Sequence, residues 1–264
     1  ARLALGGQLA ESAGMSFAVR PVGLVGATGG TAFVFTADVD ADTTNYNLRA
    51  AAVAAGWDQV APLLATVTIA SGIVVSADST SFYAFDSGTM AYPTGSALAL
   101  TNAGYIIGMG GAGGAYSANG LPGGAALRAI ASLPVTLDNS LGTIGGGGGG
   151  GGGGFSAGVG YGGGGGRSGR AASAGGAGNA AGRQGADGLF ASGGKGGGAL
   201  GGAGGTTATG ENAIGENGGG GGGWGAMGGS NTAHPTSGGA GGTAVRGNAY
   251  ITWTATGTRY GSIS

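Results

Sequence analysis

Cysteine is absent from the 264 residues, charge is sparse at 8%, and there are one histidine, one lysine and six prolines. Without thiols there are no disulfides and no thiolate metal sites. So few prolines argue against a collagen triple helix, which needs them in abundance beside a glycine at every third position. The net charge of −1, a pI near 5.7 and the absence of any run of Lys/Arg speak against a nucleic-acid partner, which none of these features suggests. No apolar run approaches the roughly 20 residues of a membrane span. No segment joins a basic start to an apolar core as a signal peptide does. The first residue is Ala1, which makes the chain readable as a portion of a longer protein.

What is abundant is glycine, at 72 residues, against an average usage near 7%. Only 12 of these lie in residues 1–107, and the other 60 fall in residues 108–264. The change comes near Gly108, where "AGYIIG" gives way to "MGGAGG". It sets the expected boundary between a conventional domain and a glycine-rich one.

Residues 1–107 read as mainly β with one short α-helix. "TAFVF" places Phe33 and Phe35 on one strand face at a period of two. "DTTNYNLRAAAVAAGW" predicts the helix: Asp42 or Thr43 can cap its start, and Gly56 stands where a left-handed residue is wanted at its end. Leu48, Ala51, Ala52 and Ala55 fall on one face, narrow enough to pack closely on a sheet. The runs "ATVTIASGIVV", "SFYAF", "SALALT" and "GYIIG", punctuated by Gly, Asp, Ser and Pro, predict short strands joined by tight turns. Asp38, Asp40 and Asp42 invite a calcium reading, but an EF-hand loop also needs a glycine and a glutamate in register, and neither is there. Capping and turn roles account for them better, and no metal site is expected.

The glycine-rich part alternates runs with ordinary segments. The longest run is Gly145 to Gly154, ten in succession; others fall at 110–114, 162–166, 175–178, 193–205, 218–223 and 238–242. A flexible linker has such a composition, yet the chain closes on a strong strand, "NAYITWTAT", which needs a folded body to pack on. The glycine phase is too irregular for collagen, and calcium-binding β-rolls need an Asp in every repeat, whereas only Asp187 lies near a run. The remaining reading is a bundle of polyglycine II helices. With three residues per turn and about 3.1 Å rise, every N–H and C=O points outward, and buried backbone groups must find partners. Only glycine lets such helices approach closely enough to bond laterally. A ten-residue run would span about 31 Å.

Such a bundle carries no catalytic groups on its walls, so chemistry must sit in the segments between runs. Aromatic, large apolar and charged residues sit there: Tyr116, Leu121, Phe155, Tyr161, Phe190, Trp224, Met227 and His234, with Arg167, Arg170, Arg183 and Glu211 around them. Each aromatic reads either as a contact on a rigid scaffold or as a hydrophobic cap on the bundle. His234 is the only histidine; a serine triad would need it paired with an Asp and a nucleophile elbow, and a phosphate-binding loop would need Gly-Lys-Ser/Thr. Matches to glycine-rich motifs inside the runs follow from composition alone. Neither an enzyme nor a cofactor is expected.

The alternation of polyglycine runs and loops, after an N-terminal domain and before a short C-terminal strand, resembles the detachable tail-fibre adhesins of T-even-like bacteriophages. "NYNLRAAAVAAGWDQVAPLLATVTIASG", the stretch "LTNAGYIIGMGGAGG" and the closing "NAYITWTATGTRYGSIS" are similar to segments of phage and prophage tail proteins. The resemblance implies a receptor-binding protein on the virion, at a tail fibre or tail tip. It would recognise a protein or glycan on the bacterial outer surface through loops of a polyglycine II sandwich, and be held by other tail proteins or as a homotrimer. Zero cysteine fits a virion assembled in the cytoplasm and used outside it. The implied division is a β-rich attachment domain at 1–107, the glycine sandwich at 108–247 and a C-terminal strand at 248–264. The rival is an ice-binding protein, since springtail antifreeze proteins also use polyglycine II bundles; those show a regular Gly-X-X period and usually cysteines, and this chain shows neither.

Overall fold

The computed structural model describes residues 31–155, 162–175, 184–197, 201–205, 208–214 and 216–264. Its strands come in triplets. The first is β1 (Phe33–Val39), β2 (Thr43–Thr44) and β3 (Tyr46–Asn47); the second is β4 (Leu63–Ile69), β5 (Val74–Ser76) and β6 (Phe85–Asp86). The third is β7 (Ala97–Asn102), β8 (Tyr105–Ile107) and β9 (Leu127–Arg128), and the fourth is β10 (Val135–Asp138), β11 (Thr143–Gly145) and β12 (Val245–Arg246). A last, partial coil holds β13 (Ile251–Ala255) and β14 (Thr258–Tyr260).

Strands adjacent in sequence do not pair with each other. Each pairs in parallel with its counterpart one coil away, which gives three sheets ordered β1-β4-β7-β10-β13, β14-β11-β8-β5-β2 and β12-β9-β6-β3. The chain therefore winds as a three-sided parallel coil. Alternation sends every second side chain inward, and the registers stack them. Ala37, Val67, Leu100 and Leu137 align on one side; Tyr46, Phe85, Leu127 and Val245 align on another. All eight are buried, and the Tyr46 and Phe85 rings stack with centroids 5.0 Å apart. At one corner the ladder is polar. Asn102 Nδ2 donates to Asn139 Oδ1 at 2.7 Å, and Asn139 Nδ2 donates to the Thr256 carbonyl at 2.8 Å, which satisfies buried amides across three successive coils.

The described chain is thus mainly β with one short helix, α1 (Leu48–Ala54). The helix starts later than the sequence suggested. Asn47, not Asp42 or Thr43, caps it, with its side chain accepting from Ala50 N–H at 2.9 Å. Residues 43–47 are drawn into β2 and β3 because their partners β5 and β6 lie alongside, and Asp42 is already engaged by Val74 N–H at 2.9 Å. The end of α1 is as expected: Gly56 is left-handed (φ 102°). Trp57 N–H bonds to Ala52 C=O and Gly56 N–H to Val53 C=O, the paired pattern of a Schellman cap. Leu48 and Ala52 are buried, and Ala51 and Ala55 pack against the same core.

The three sheets continue past the glycine boundary at Gly108, since β9 to β14 all lie beyond it. The glycine-rich residues leave the coil at one corner twice, between β8 and β9 (108–126) and between β11 and β12 (146–244). The closing run opens with a 3-10 turn at Asn248–Tyr250 rather than a strand. β13 then places Ile251 and Trp253 on its partly buried side, and β14 follows.

Candidate binding surface

The run Gly145 to Gly154 sits at the centre of the glycine-rich part, and its backbone bonds have a strict period of three. The N–H groups of Gly147, Gly150 and Gly153 donate to the carbonyls of Gly124, Leu121 and Ala118; those of Gly148 and Gly151 to Arg167 and Gly164; those of Gly149 and Gly152 to Ala226 and Gly229. On the acceptor side, Gly145, Gly148 and Gly151 take bonds from Gly108, Gly111 and Gly114. Gly146, Gly149 and Gly152 take them from Gly225, Gly222 and Gly219, and Gly147 and Gly150 from Gly242 and Gly239. Six different segments surround the central one, and every donor and acceptor of its interior is matched, as buried backbone requires.

This closeness leaves no room for side chains. A Cβ at Gly147 would lie 1.8 Å from the Met109 carbonyl oxygen; at Gly149, 1.8 Å from that of Gly239; at Gly150, 1.9 Å from that of Ala112. These neighbours are backbone atoms and cannot swing aside.

The direction of each segment follows from its bonds. Residues 108–117 and 145–154 run outward from the sheets side by side, and 118–124, 162–167, 216–223 and 238–242 run back. The turns therefore gather at two ends, one against the sheets and one away from them. At the sheet end, Trp224 is only 5% exposed. Its ring meets Phe190 (5.1 Å), Tyr260 of β14 (5.9 Å) and Tyr105 of β8 (6.1 Å), and its Nε1 donates to Ser168 C=O at 3.1 Å. The Arg167 guanidinium lies over it, 3.5 Å from the centroid, and donates from Nε to Phe190 C=O. Burial draws the Arg167 pKa below its ordinary value, though a guanidinium stays charged in proteins. Arg170 forms an ion pair with Asp42. Arg167, Phe190 and Trp224, chosen from the sequence as loop residues, here join the glycine segments to the sheets.

The far end differs. Tyr116, Phe155 and His234 come from three separate segments and meet: Tyr116 stacks on Phe155 at 5.2 Å, and His234 lies 4.6 Å from Phe155. Tyr116 is 37% exposed, and the other two are half-buried. Asparagines that sequence reasoning passed over hold these turns. Asn231 Oδ1 accepts from both Ala233 and His234 N–H at 2.8 Å, Asn119 Oδ1 from Ser237 N–H at 2.8 Å, and Asn212 Oδ1 from Ser230 N–H at 2.7 Å. The available signal was an Asn in the segments between the runs, at 119, 212 and 231, where its side chain can replace a backbone turn partner. Leu121, Met227 and Glu211 are exposed and join neither cluster; Glu211 Oε2 accepts from Ala203 N–H at 3.3 Å. Tyr161 and Arg183 lie outside the described residues.

Among the described residues no group of His, Asp or Glu is arranged to hold a metal ion. Residues 154–158 spell G-x-S-x-G, but Gly154 closes a glycine segment rather than the strand that a nucleophile elbow needs before its serine. A stiff backbone lattice that lifts turns away from a sheet body defines a display scaffold, a protein built to bind.

The family model for the phage tail fibre adhesin Gp38 matches residues 34–264, and the chain belongs to that family. It is a receptor-binding adhesin of the virion tail, and the family is one of adhesins rather than enzymes. A chain from the crystal structure of the gp37-gp38 adhesin tip complex of the bacteriophage S16 long tail fibre has a similar fold. The TM-score is 0.65 at 23% identity, over 89% of this chain and 84% of that one. No curated protein matches the chain significantly. Ice binding finds no support in these relationships.

Proposed function

We propose that the adhesin grips a bacterial outer-surface receptor with the turns at the end of the glycine segments farthest from the sheets, and that the sheet body carries the contact with the tail fibre. The observation that carries this is the meeting of Tyr116, Phe155 and His234, from three separate segments, on the exposed end. Aromatic groups on a rigid support are the usual centre of a binding patch. Leu121, Met227 and Glu211 would form its flanks, while Trp224, Phe190 and Arg167 hold the scaffold in place from the other end. In the same reading the glycine segments are a polyglycine II sandwich. The period of three, the six neighbours and the exclusion of Cβ atoms all support it. The likeness to a chain of a gp37-gp38 tip complex supports a fibre protein as the holding partner, with residues 1–107 contributing to attachment.

The test is adsorption of the fluorescently labelled full chain to host cells. A Tyr116→Ser/Phe155→Ser double variant should lose adsorption at least tenfold while its melting temperature stays within a few degrees. Adsorption equal to wild type would refute the assignment. Protease or periodate treatment of the cells beforehand separates a protein receptor from a glycan.

A further inference from the structure

We propose that a second binding site, for an acidic saccharide unit, lies on the outer side of the sheet formed by β3, β6, β9 and β12. The connection from β5 to β6 bulges there. Ser81 N–H donates to Ser79 Oγ and Phe82 N–H to Ser79 C=O, both at 3.2 Å, a local turn that leaves Phe82 55% exposed. Tyr83 beside it is held by two cations. The Arg128 guanidinium lies 4.4 Å from its ring centroid, and Arg246 Nη1 donates to its hydroxyl at 3.1 Å. Two grooves meet at this pair. One, of about 380 Å³, is lined by Asn45, Asn47, Asp86 and Arg128; the other, of about 300 Å³, by Thr80, Thr243 and Arg246 and glycine backbone; Ser81, Phe82 and Tyr83 border both.

A single exposed phenylalanine is ordinary on a protein surface. What singles this one out is the company it keeps. A sugar ring has an apolar C–H face and a rim of hydroxyls, and the face suits an aromatic ring whose polar neighbours engage the rim. Asp86 and Arg128 supply such neighbours as a fixed fork, with bonds of 2.7 and 2.6 Å, so little side-chain freedom is lost when a ligand binds. Asp86 neutralises Arg128, so the uncompensated charge belongs to exposed Arg246, which gives the Tyr83 hydroxyl only its Nη1 among the described residues. A guanidinium fork of that kind favours a carboxylate or phosphate substituent. The position, beside the sheets rather than at the far turns, makes this site independent of the one proposed above.

Saturation-transfer NMR on the full chain tests it, with glucuronate as probe and glucose as its neutral counterpart. Glucuronate should show transfer with a Kd on the order of 1 mM, glucose a weaker signal. Phe82→Ser should cut both signals at least fivefold. Arg246→Gln should reduce glucuronate to the level of glucose and leave glucose unchanged. Both residues are exposed, and unchanged circular dichroism melts will show that the variants fold. The proposal is overturned if wild-type protein gives no transfer, if the two variants match wild type, or if Tyr116→Ser removes the signal. A failure of the Tyr116/Phe155 adsorption test would leave these spectra untouched.

Discussion

The sheet coil and the glycine segments solve the same problem in opposite ways. In the coil, stacked Val67, Leu100, Leu137 and their neighbours fill the interior, and stability comes from apolar area removed from water. In the glycine segments the interior is the backbone itself, bonded to six neighbours at every third residue. The coil depends on what its side chains add, so deletions harm it. The lattice depends on what glycine omits, so additions harm it. The two parts meet at Trp224, a side-chain plug at the foot of a side-chain-free bundle.

That asymmetry can be broken or sharpened by experiment. The largest effect is expected from Gly150→Ala, a single added methyl whose Cβ would sit 1.9 Å from the Ala112 carbonyl oxygen. Its cost should exceed about 3 kcal/mol, beyond ordinary overpacking because backbone must move, and limited proteolysis should open the bundle while the coil resists. If the variant melts like wild type, the lattice is not the interior we describe. The opposite change in the coil, Leu100→Ala, should cost about 3 kcal/mol through the cavity it leaves, read by thermal unfolding, and leave the bundle resistant to protease.

Alkaline pH should also separate the halves. Burial pushes Tyr92 up to about 12 and moves Tyr46 up further. Both lie in the coil, and their neutral forms are favoured in the folded state. The sign follows: their contribution is complete below pH 10 and is lost as the pH rises to about 12. The coil's melting temperature should fall over that window, while the run 145–154, which has nothing to titrate, should not respond directly. Next in size, Asn47→Ala removes the cap of α1 and should cost about 1 kcal/mol, seen as a lower melting temperature. Tyr116→Ser, at the exposed tip, should change stability by less than about 0.5 kcal/mol, measured in the same way, even though it belongs to the variant expected to abolish adsorption.

Much of the lattice was legible in the sequence, because ten successive glycines allow few packed structures and the alternation with ordinary segments implies an up-and-down course. The cap at Gly56 and the face of Leu48 and Ala52 were legible for the same reason: local chemistry decides them. The parallel coil was not. Period-two alternation in "TAFVF" or "ATVTIASG" is the same for any pairing, and the partners that set the register lie far away: Phe33 meets Leu63, and Val135 meets Ile251 across the whole glycine insertion. The division of the turns into two ends was hidden too. A run edge looks alike whether the chain is leaving the sheets or returning, so Trp224 and Phe155 read as equivalent when one is a buried plug and the other part of the tip.

A carbonyl lattice has a thermal consequence. Hydrating apolar side chains on unfolding raises heat capacity, and hydrating polar surface lowers it. The glycine segments expose mostly amide groups when they open, so their stability should vary almost linearly with temperature, with little loss on cooling. The coil, which relies on apolar burial, weakens in the cold. In the cold, the glycine segments should therefore keep their stiffness, with the softening confined to the coil.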